Sequence, residues 1–300
     1  MTNVPVDGVF AAVLTPRKQG GELDEEALRH HLLFLVQAGI DGVALNGATG
    51  EFCLTTSDEL DRMLRIARET IGSRTVLVAG IGAPDSAHAI GLGKVAIKAG
   101  AQGLLLPMPY FFRYNQDDLE AFASTVSAAI EGPIVLYNLP QFATGLTAHT
   151  TIEIIQRCDN VVGLKDSSGS LDILRTLTEE GVPACRIVGN DGVLAAARQA
   201  SLCDGVVSGV ACILPELVRA LFDECTNNGT RVTELQALLE QFIAQLDLFP
   251  TPWGLKIMGE ARKLSPAIFH QPLSPKRIEQ KQLCMQWFGQ NFDRFTNVGG

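Results

Sequence analysis

Residues 133–165 read PIVLYNLPQFATGLTAHTTIEIIQRCDNVVGLK. Ile134–Asn138 is a short apolar run, and so is Val161–Lys165. Between them, Thr147–Arg157 carries apolar residues every three or four positions, the period of a helix with one buried face. A strand that is apolar along its whole length is covered on both faces, and two parallel strands need a crossover, usually helical, to connect them. The segment therefore predicts one β-α-β unit.

The unit repeats outward in both directions. Strands are predicted at Val9–Leu14, Gly42–Leu45, Val76–Gly80, Gly103–Leu106, Ile134–Asn138, Val161–Lys165, Arg186–Val188 and Gly205–Val207. Helical patterns follow each in turn: Asp24–Ala38, Ser57–Ile71, Ser86–Ala99, Gln116–Ile130, Thr147–Arg157, Leu171–Glu180, Val193–Ala200 and Leu214–Asn228. Eight uninterrupted units favour closure into an α/β (β/α)8 TIM barrel over an open doubly wound sheet. The barrel is expected over residues 1–228. Over 229–300 the pattern turns purely helical (Val232–Leu246, Gly254–Leu264 and Pro275–Phe288), a C-terminal helical extension packed on the barrel.

Composition narrows the partners. With 46% hydrophobic and 19% charged residues the chain is long enough to bury a large core. The net charge is −9 and no segment concentrates Lys and Arg, so a nucleic-acid surface is not expected and a small molecule is. No run reaches the roughly 18 apolar residues of a membrane span, and the first residues lack signal-peptide character, which predicts a cytosolic protein without membrane contact. Seven scattered cysteines without a C-x-x-C pair read as reduced thiols. The five histidines form no H-E-x-x-H or i, i+4 pair, so neither a metal nor another cofactor is expected. Gly91-Leu92-Gly93-Lys94-Val95-Ala96 fits a dinucleotide pattern but lies inside a helical run with no strand before it.

In a barrel of this kind chemistry sits at the C-terminal strand ends and in the loops that follow. Of the eight lysines, Lys18, Lys94, Lys98, Lys256, Lys263, Lys276 and Lys281 are expected on loops or polar helix faces. Lys165 instead ends a strand covered on both faces. Burial disfavours an ammonium ion, and a neutral amine attacks a ketone to form a Schiff base. A lysine snorkelling out of the barrel mouth is the plain alternative. Tyr137 ends the preceding strand and opens on the same rim, where a phenol shuttles protons or simply hydrogen-bonds a carbonyl. Gly47-Ala48-Thr49-Gly50-Glu51 follows the second strand and suits either an amide nest for a carboxylate or an ordinary tight turn. Thr15, Gly47, Tyr110, Gly189, Val207 and Ser208 end or follow other strands and are candidates for the pocket. The turn Gly189-Asn190-Asp191-Gly192 with Ser208-Gly209 suits a phosphate or substrate hydroxyls equally.

At these residues the chain resembles the dihydrodipicolinate synthase / N-acetylneuraminate lyase family of Schiff-base aldolases and lyases. The shared stretches, in family order, are Gly47–Glu51, Pro107-Met108-Pro109-Tyr110, Tyr137-Asn138-Leu139-Pro140 and Gly163-Leu164-Lys165-Asp166. The resemblance implies Lys165 as the imine-forming nucleophile and Tyr137 as the proton shuttle. It further implies that the Ala48 and Thr49 amides hold the 2-keto-acid carboxylate, and that the protein is a homotetramer. Three departures bear on the subfamily. Ala48 replaces the first threonine of the synthases' proton relay, Phe111 stands where their second tyrosine is expected, and Gln141–Gly145 holds no arginine for an aldehyde's carboxylate. Phe111 and Arg113 are candidates for an interface or the pocket, Arg113 as a replacement cation.

The main expectation is a lyase that cleaves a 2-keto (3-deoxy) acid to pyruvate and an aldehyde, similar to 2-keto-3-deoxy acid or 4-hydroxy-2-oxoglutarate aldolases. The alternatives are a 4-hydroxy-tetrahydrodipicolinate synthase condensing pyruvate with aspartate semialdehyde, a 2-keto-3-deoxy acid dehydratase, or a non-catalytic sugar-acid-binding barrel.

Overall fold

In the computed structural model, which describes residues 6–227 and 229–298, eight parallel strands close into a barrel in chain order. They are β1 (Gly8–Ala12), β2 (Gly42–Leu45), β3 (Val76–Gly80), β4 (Gly103–Pro107), β5 (Ile134–Asn138), β6 (Val161–Asp166), β7 (Cys185–Val188) and β8 (Gly205–Ser208). The crossover helices are α1 (Glu25–Gln37), α2 (Ser57–Ile71), α3 (Ser86–Lys98), α4 (Gln116–Ala128), α5 (Ala148–Arg157), α6 (Asp172–Glu179), α7 (Leu194–Gln199) and α8 (Pro215–Thr226). The (β/α)8 barrel is as expected, and the dinucleotide-like run lies within α3. Residue 228, the expected limit of the barrel, lies outside the described residues.

Helix starts shift by a residue for a local reason. Asp24 and Thr147 were read as the first residues of their helices. Each is instead the cap, with extended backbone and a side chain that accepts an amide hydrogen of the first turn.

Strand alternation sorts side chains into two cores. Outward residues such as Val9, Ala11, Ile134 and Leu136 pack under the helices, whereas Phe10, Ala12, Val78, Leu105, Val135, Tyr137, Ile187 and Val207 fill the barrel. Gly42 makes room for one of them: a Cβ there would lie 2.1 Å from Cε1 of Phe10.

The extension comprises α9 (Val232–Leu246), α10 (Trp253–Ala261) and α11 (Pro275–Thr296). The helix expected to end at Phe288 runs on through Gly289 to Thr296. Phe288 and Phe295, two turns apart, both pack on Phe242 of α9, at ring-centroid distances of 5.8 and 5.7 Å, and that burial carries the helix through the glycine. Among the described residues no helix is long and apolar enough to cross a membrane.

His31 ties α1 to the segment after β8. Its Nε2 lies 2.7 Å from the Cys212 carbonyl, and its Nδ1 is buried without a partner. Burial lowers its pKa from 6.5 to about 4, against the opposing Cys212 hydrogen bond. The unfolded chain therefore takes up a proton near pH 6.5 that the folded chain refuses until about pH 4. The stability linked to His31 is complete above that window and falls through it as the pH drops, by on the order of 3 kcal/mol. Urea unfolding of wild type and His31→Gln checks this: the variant is expected to lose less stability between pH 7 and 4.5. Parallel losses in both proteins would refute the assignment.

Candidate active site

Strand register brings the two principal residues together. Tyr137 on β5 pairs with Lys165 on β6, which in turn pairs with the inward-facing Ile187 on β7. Both side chains are 3% exposed, and the lysine Nζ lies 3.9 Å from the centroid of the phenol ring. They sit in a cavity of about 390 Å3 at the C-terminal ends of the strands. Ala12 and Val207 line it from inside the barrel, and Ile243, Leu246 and Leu255 reach it from α9 and α10 of the extension.

Ala48 and Thr49 also line this cavity, in the turn after β2. Asn46 and Glu51 have left-handed backbone, with φ of 56° and 58°. The turn is braced between strands: Asn46 Nδ2 donates to the Gly80 carbonyl (2.8 Å), and Thr15 Oγ1 donates to the Gly50 carbonyl (2.7 Å). Among the described residues no protein acceptor takes the Ala48 or Thr49 N–H. Two adjacent backbone donors that no protein group among the described residues takes therefore belong to residues lining a cavity that holds a buried amine, an arrangement suited to a carboxylate.

The turns after β7 and β8 add an acceptor. Asp191 Oδ2 accepts the Val210 N–H (3.2 Å), and Oδ1 is buried without a partner. Burial raises the pKa of this carboxyl, against the opposing Ser208 hydroxyl, Val210 amide and Lys165 charge. Ser167 Oγ is likewise buried and unpartnered. Behind the site, Asp166 faces away from Lys165, as the strand period predicts. Its Oδ1 accepts from Asn138 Nδ2 (3.0 Å) and Ser168 N (2.8 Å).

Gly189 leaves no space for a side chain. A Cβ there would lie 2.1 Å from Ser167 Oγ and 2.7 Å from Lys165 Cε. Gly189→Ala is therefore expected to fold and to lose ~100-fold in kcat/KM, because it displaces the amine rather than removing it. Steady-state kinetics with a thermal melt checks this, and wild-type kinetics would contradict it.

Comparison with known proteins places the chain. The dihydrodipicolinate synthetase family pattern matches residues 5–290. The chain belongs to this family. A 4-hydroxy-tetrahydrodipicolinate synthase from Chlorobaculum parvum is 32% identical over 267 residues, covering 86% of this chain and 90% of that protein. One from Methanothrix thermoacetophila is 31% identical over 280 residues, covering 91% and 93%. Among solved structures, the 4-hydroxy-tetrahydrodipicolinate synthase from Methylacidiphilum fumariolicum SolV superposes with a TM-score of 0.89 at 25% identity, covering 98% of this chain and 100% of that one. For the dihydrodipicolinate synthetase family member described here, an enzyme of the lyase class follows. The relatives' names stand behind the synthase alternative more than behind the keto-acid lyase given above as the main expectation.

Of the residues expected at the site of this family member, Lys165, Tyr137, Ala48, Thr49, Gly189 and Val207 line the cavity. The others fall outside its lining. Thr15 is used up bracing Gly50, and Gly47 accepts the Phe52 N–H (3.3 Å). Ser208 Oγ takes the Ala211 N–H (2.8 Å). Tyr110 packs edge-on against Phe52 at 5.6 Å and lines a neighbouring depression with Cys53 and His88. Phe111 and Arg113 are exposed on the loop after β4. Lys256 corrects an expectation: it is 5% exposed rather than solvated, and its Nζ lies 2.5 Å from Glu51 Oε2. Asp191 was legible only as part of an ambiguous turn. The α9–α10 corner was missed altogether, since helix periodicity does not say which strand ends a tail covers.

Proposed function

We propose that the protein makes and breaks a carbon–carbon bond next to pyruvate through an imine on Lys165. The observation that carries this reading is the buried amine held against a phenol in a cavity also lined by two residues whose backbone donors no protein group among the described residues takes. The substrate carboxylate binds the Ala48 and Thr49 amides, and Lys165 Nζ attacks C2. Tyr137 delivers a proton to the carbinolamine oxygen, which leaves as water. It then takes the C4 hydroxyl proton as the C3–C4 bond breaks, releasing the aldehyde and leaving an enamine whose electrons the iminium nitrogen has accepted. Protonation at C3 and hydrolysis release pyruvate and restore the amine. No step is routed through a metal, and the rate is expected to be unchanged in EDTA.

Two partners compete for the other end of the cavity. The names of the relatives support the synthase reaction with aspartate semialdehyde. The lining supports an uncharged, hydroxylated partner. Among the described residues that line the cavity Lys165 is the one cation, and it is consumed as the imine, whereas Asp191 and Asp247 are both acidic. Asp191 Oδ1 accepts a hydrogen from a hydroxyl or an ammonium, but an aldehyde's own carboxylate would meet no remaining cation there. We therefore favour cleavage of a 2-keto-3-deoxy acid. Pyruvate release from a panel of such acids, measured beside condensation of pyruvate with aspartate semialdehyde, decides: faster condensation would establish the synthase instead.

We further propose a homotetramer in the cytosol. Phe111, Phe112 and Phe142, 85%, 62% and 52% exposed, are large apolar side chains near the same rim, a density that points to a covered surface. Seven free thiols suit a reducing compartment. Light scattering is expected to give a tetramer for wild type and smaller species for Phe111→Glu/Phe112→Glu. A monomeric wild type would reject the assembly.

A further inference from the structure

Glu51 is an unusual residue to find where it is. It closes the turn that carries Ala48 and Thr49, donates its N–H back to the Ala48 carbonyl (3.0 Å), and has the left-handed backbone that glycine or asparagine adopts more easily. Strain of this kind persists only where the surroundings over-determine it. Its carboxylate is 8% exposed and lies 2.5 Å from Lys256 Nζ on α10, itself 5% exposed. Lys256 also donates to the Ile268 carbonyl (2.9 Å), and His270 Nε2 stands 3.9 Å from the same Glu51 oxygen. Arg17, whose charge also reaches Lys256, is occupied by a bidentate pair with Glu59 at 2.6 and 2.9 Å.

A buried ion pair is a poor way to gain stability, because desolvation consumes most of the attraction and well-packed apolar residues serve as well. What the pair does supply is a close charge contact between two segments, and both segments line the cavity. Ala48 and Thr49 precede Glu51 on the barrel side, while Gly254 and Leu255 precede Lys256 on the extension side. A Cβ on Gly209 would touch both of these walls, lying 3.3 Å from Leu255 Cδ1 and 3.6 Å from Thr49 Oγ1.

We infer that Glu51 and Lys256 are positioning residues for keto-acid binding, locking the Ala48–Thr49 amides to α10 so that both donors meet the substrate carboxylate. The inference rests on the Schiff-base reading above and assigns the C-terminal extension a part in the site. Neither residue touches the reacting atoms. Their loss therefore raises the pyruvate concentration needed for half-maximal imine formation and leaves the maximal rate nearly intact.

The test is borohydride trapping at graded pyruvate concentrations, read by intact mass, with kcat, KM and a melting curve for each variant. Lys256→Met alone leaves a buried carboxylate uncompensated, so the double variant Glu51→Gln/Lys256→Met, which buries no charge, carries the measurement. It is expected to fold, to need ~10-fold more pyruvate for half-maximal trapping, and to hold kcat within about threefold. Lys256→Arg, which keeps the charge, is expected to recover part of the affinity. Half-saturation equal to wild type in the folded double variant would overturn the inference while leaving the Schiff-base reading intact, and so would a fall in melting temperature with no change in half-saturation. A wild-type protein that pyruvate and borohydride never label would overturn both.

Discussion

Lys165→Ala is expected to abolish turnover, with kcat/KM falling by at least ~10⁴-fold, and to abolish the borohydride-dependent mass increase with pyruvate. The size of the loss follows from the cavity: among the described residues lining it, no other amine is present. Without the amine no iminium forms, and the electrons of the breaking bond have nowhere to go. The fold should survive. The lysine Nζ lies over the Tyr137 ring at 3.9 Å and the side chain borders the cavity, so its truncation enlarges existing space at the rim and leaves the apolar core residues in place. Lys165→Arg is expected to be as inactive as the alanine variant, because a guanidinium stays protonated and is no nucleophile. A folded Lys165→Ala protein with more than about 1% of wild-type kcat/KM would defeat the mechanism.

Lys165 was legible because a strand buried on both faces leaves few explanations for a terminal lysine, and its neighbour Tyr137 because sequential strands pair in a closed barrel. Both follow from period and order, which sequence carries directly. Contacts between distant turns are not carried in this way. β8 runs one residue past its expected end at Val207, and the hydroxyl of that last residue, Ser208, serves Ala211, which nothing in a strand pattern reveals. Lys256 occupies a helix whose polar and apolar residues alternate normally. Only the approach of the Glu51 turn, from the opposite end of the chain, decides that this ammonium is buried and paired rather than solvated. Tyr110 lies outside the Lys165 cavity for a similar reason: Phe52, in the 3-10 turn after Glu51, offers its ring an apolar partner there. The tail was legible as helices and illegible as a wall of the site.

The phenol provides the second large effect. Tyr137→Phe is expected to lower kcat by ~10³-fold while leaving imine trapping with pyruvate readily detectable. The substitution is unusually clean here. The lysine nitrogen contacts the face of the ring, so phenylalanine keeps both that ring-face contact and the volume that lines the barrel interior, and only the hydroxyl is lost. Tyr137→Leu removes the ring face as well. If the ring merely shields Lys165 from water, Phe would preserve the rate and Leu would lose it. If the hydroxyl moves protons, both lose the rate, and Leu additionally weakens trapping. The two steps assigned to this oxygen also differ in demand. Loss of water from the carbinolamine needs only a proton delivered to an oxygen that leaves, whereas cleavage needs the C4 hydroxyl proton removed as the carbon–carbon bond breaks. The variant should therefore accumulate imine with the keto acid and stall before carbon–carbon cleavage. Rapid-quench borohydride trapping separates the two, by the mass of the adduct: intact substrate on Lys165 supports this role for Tyr137, and a pyruvate-sized adduct formed at the wild-type rate excludes it.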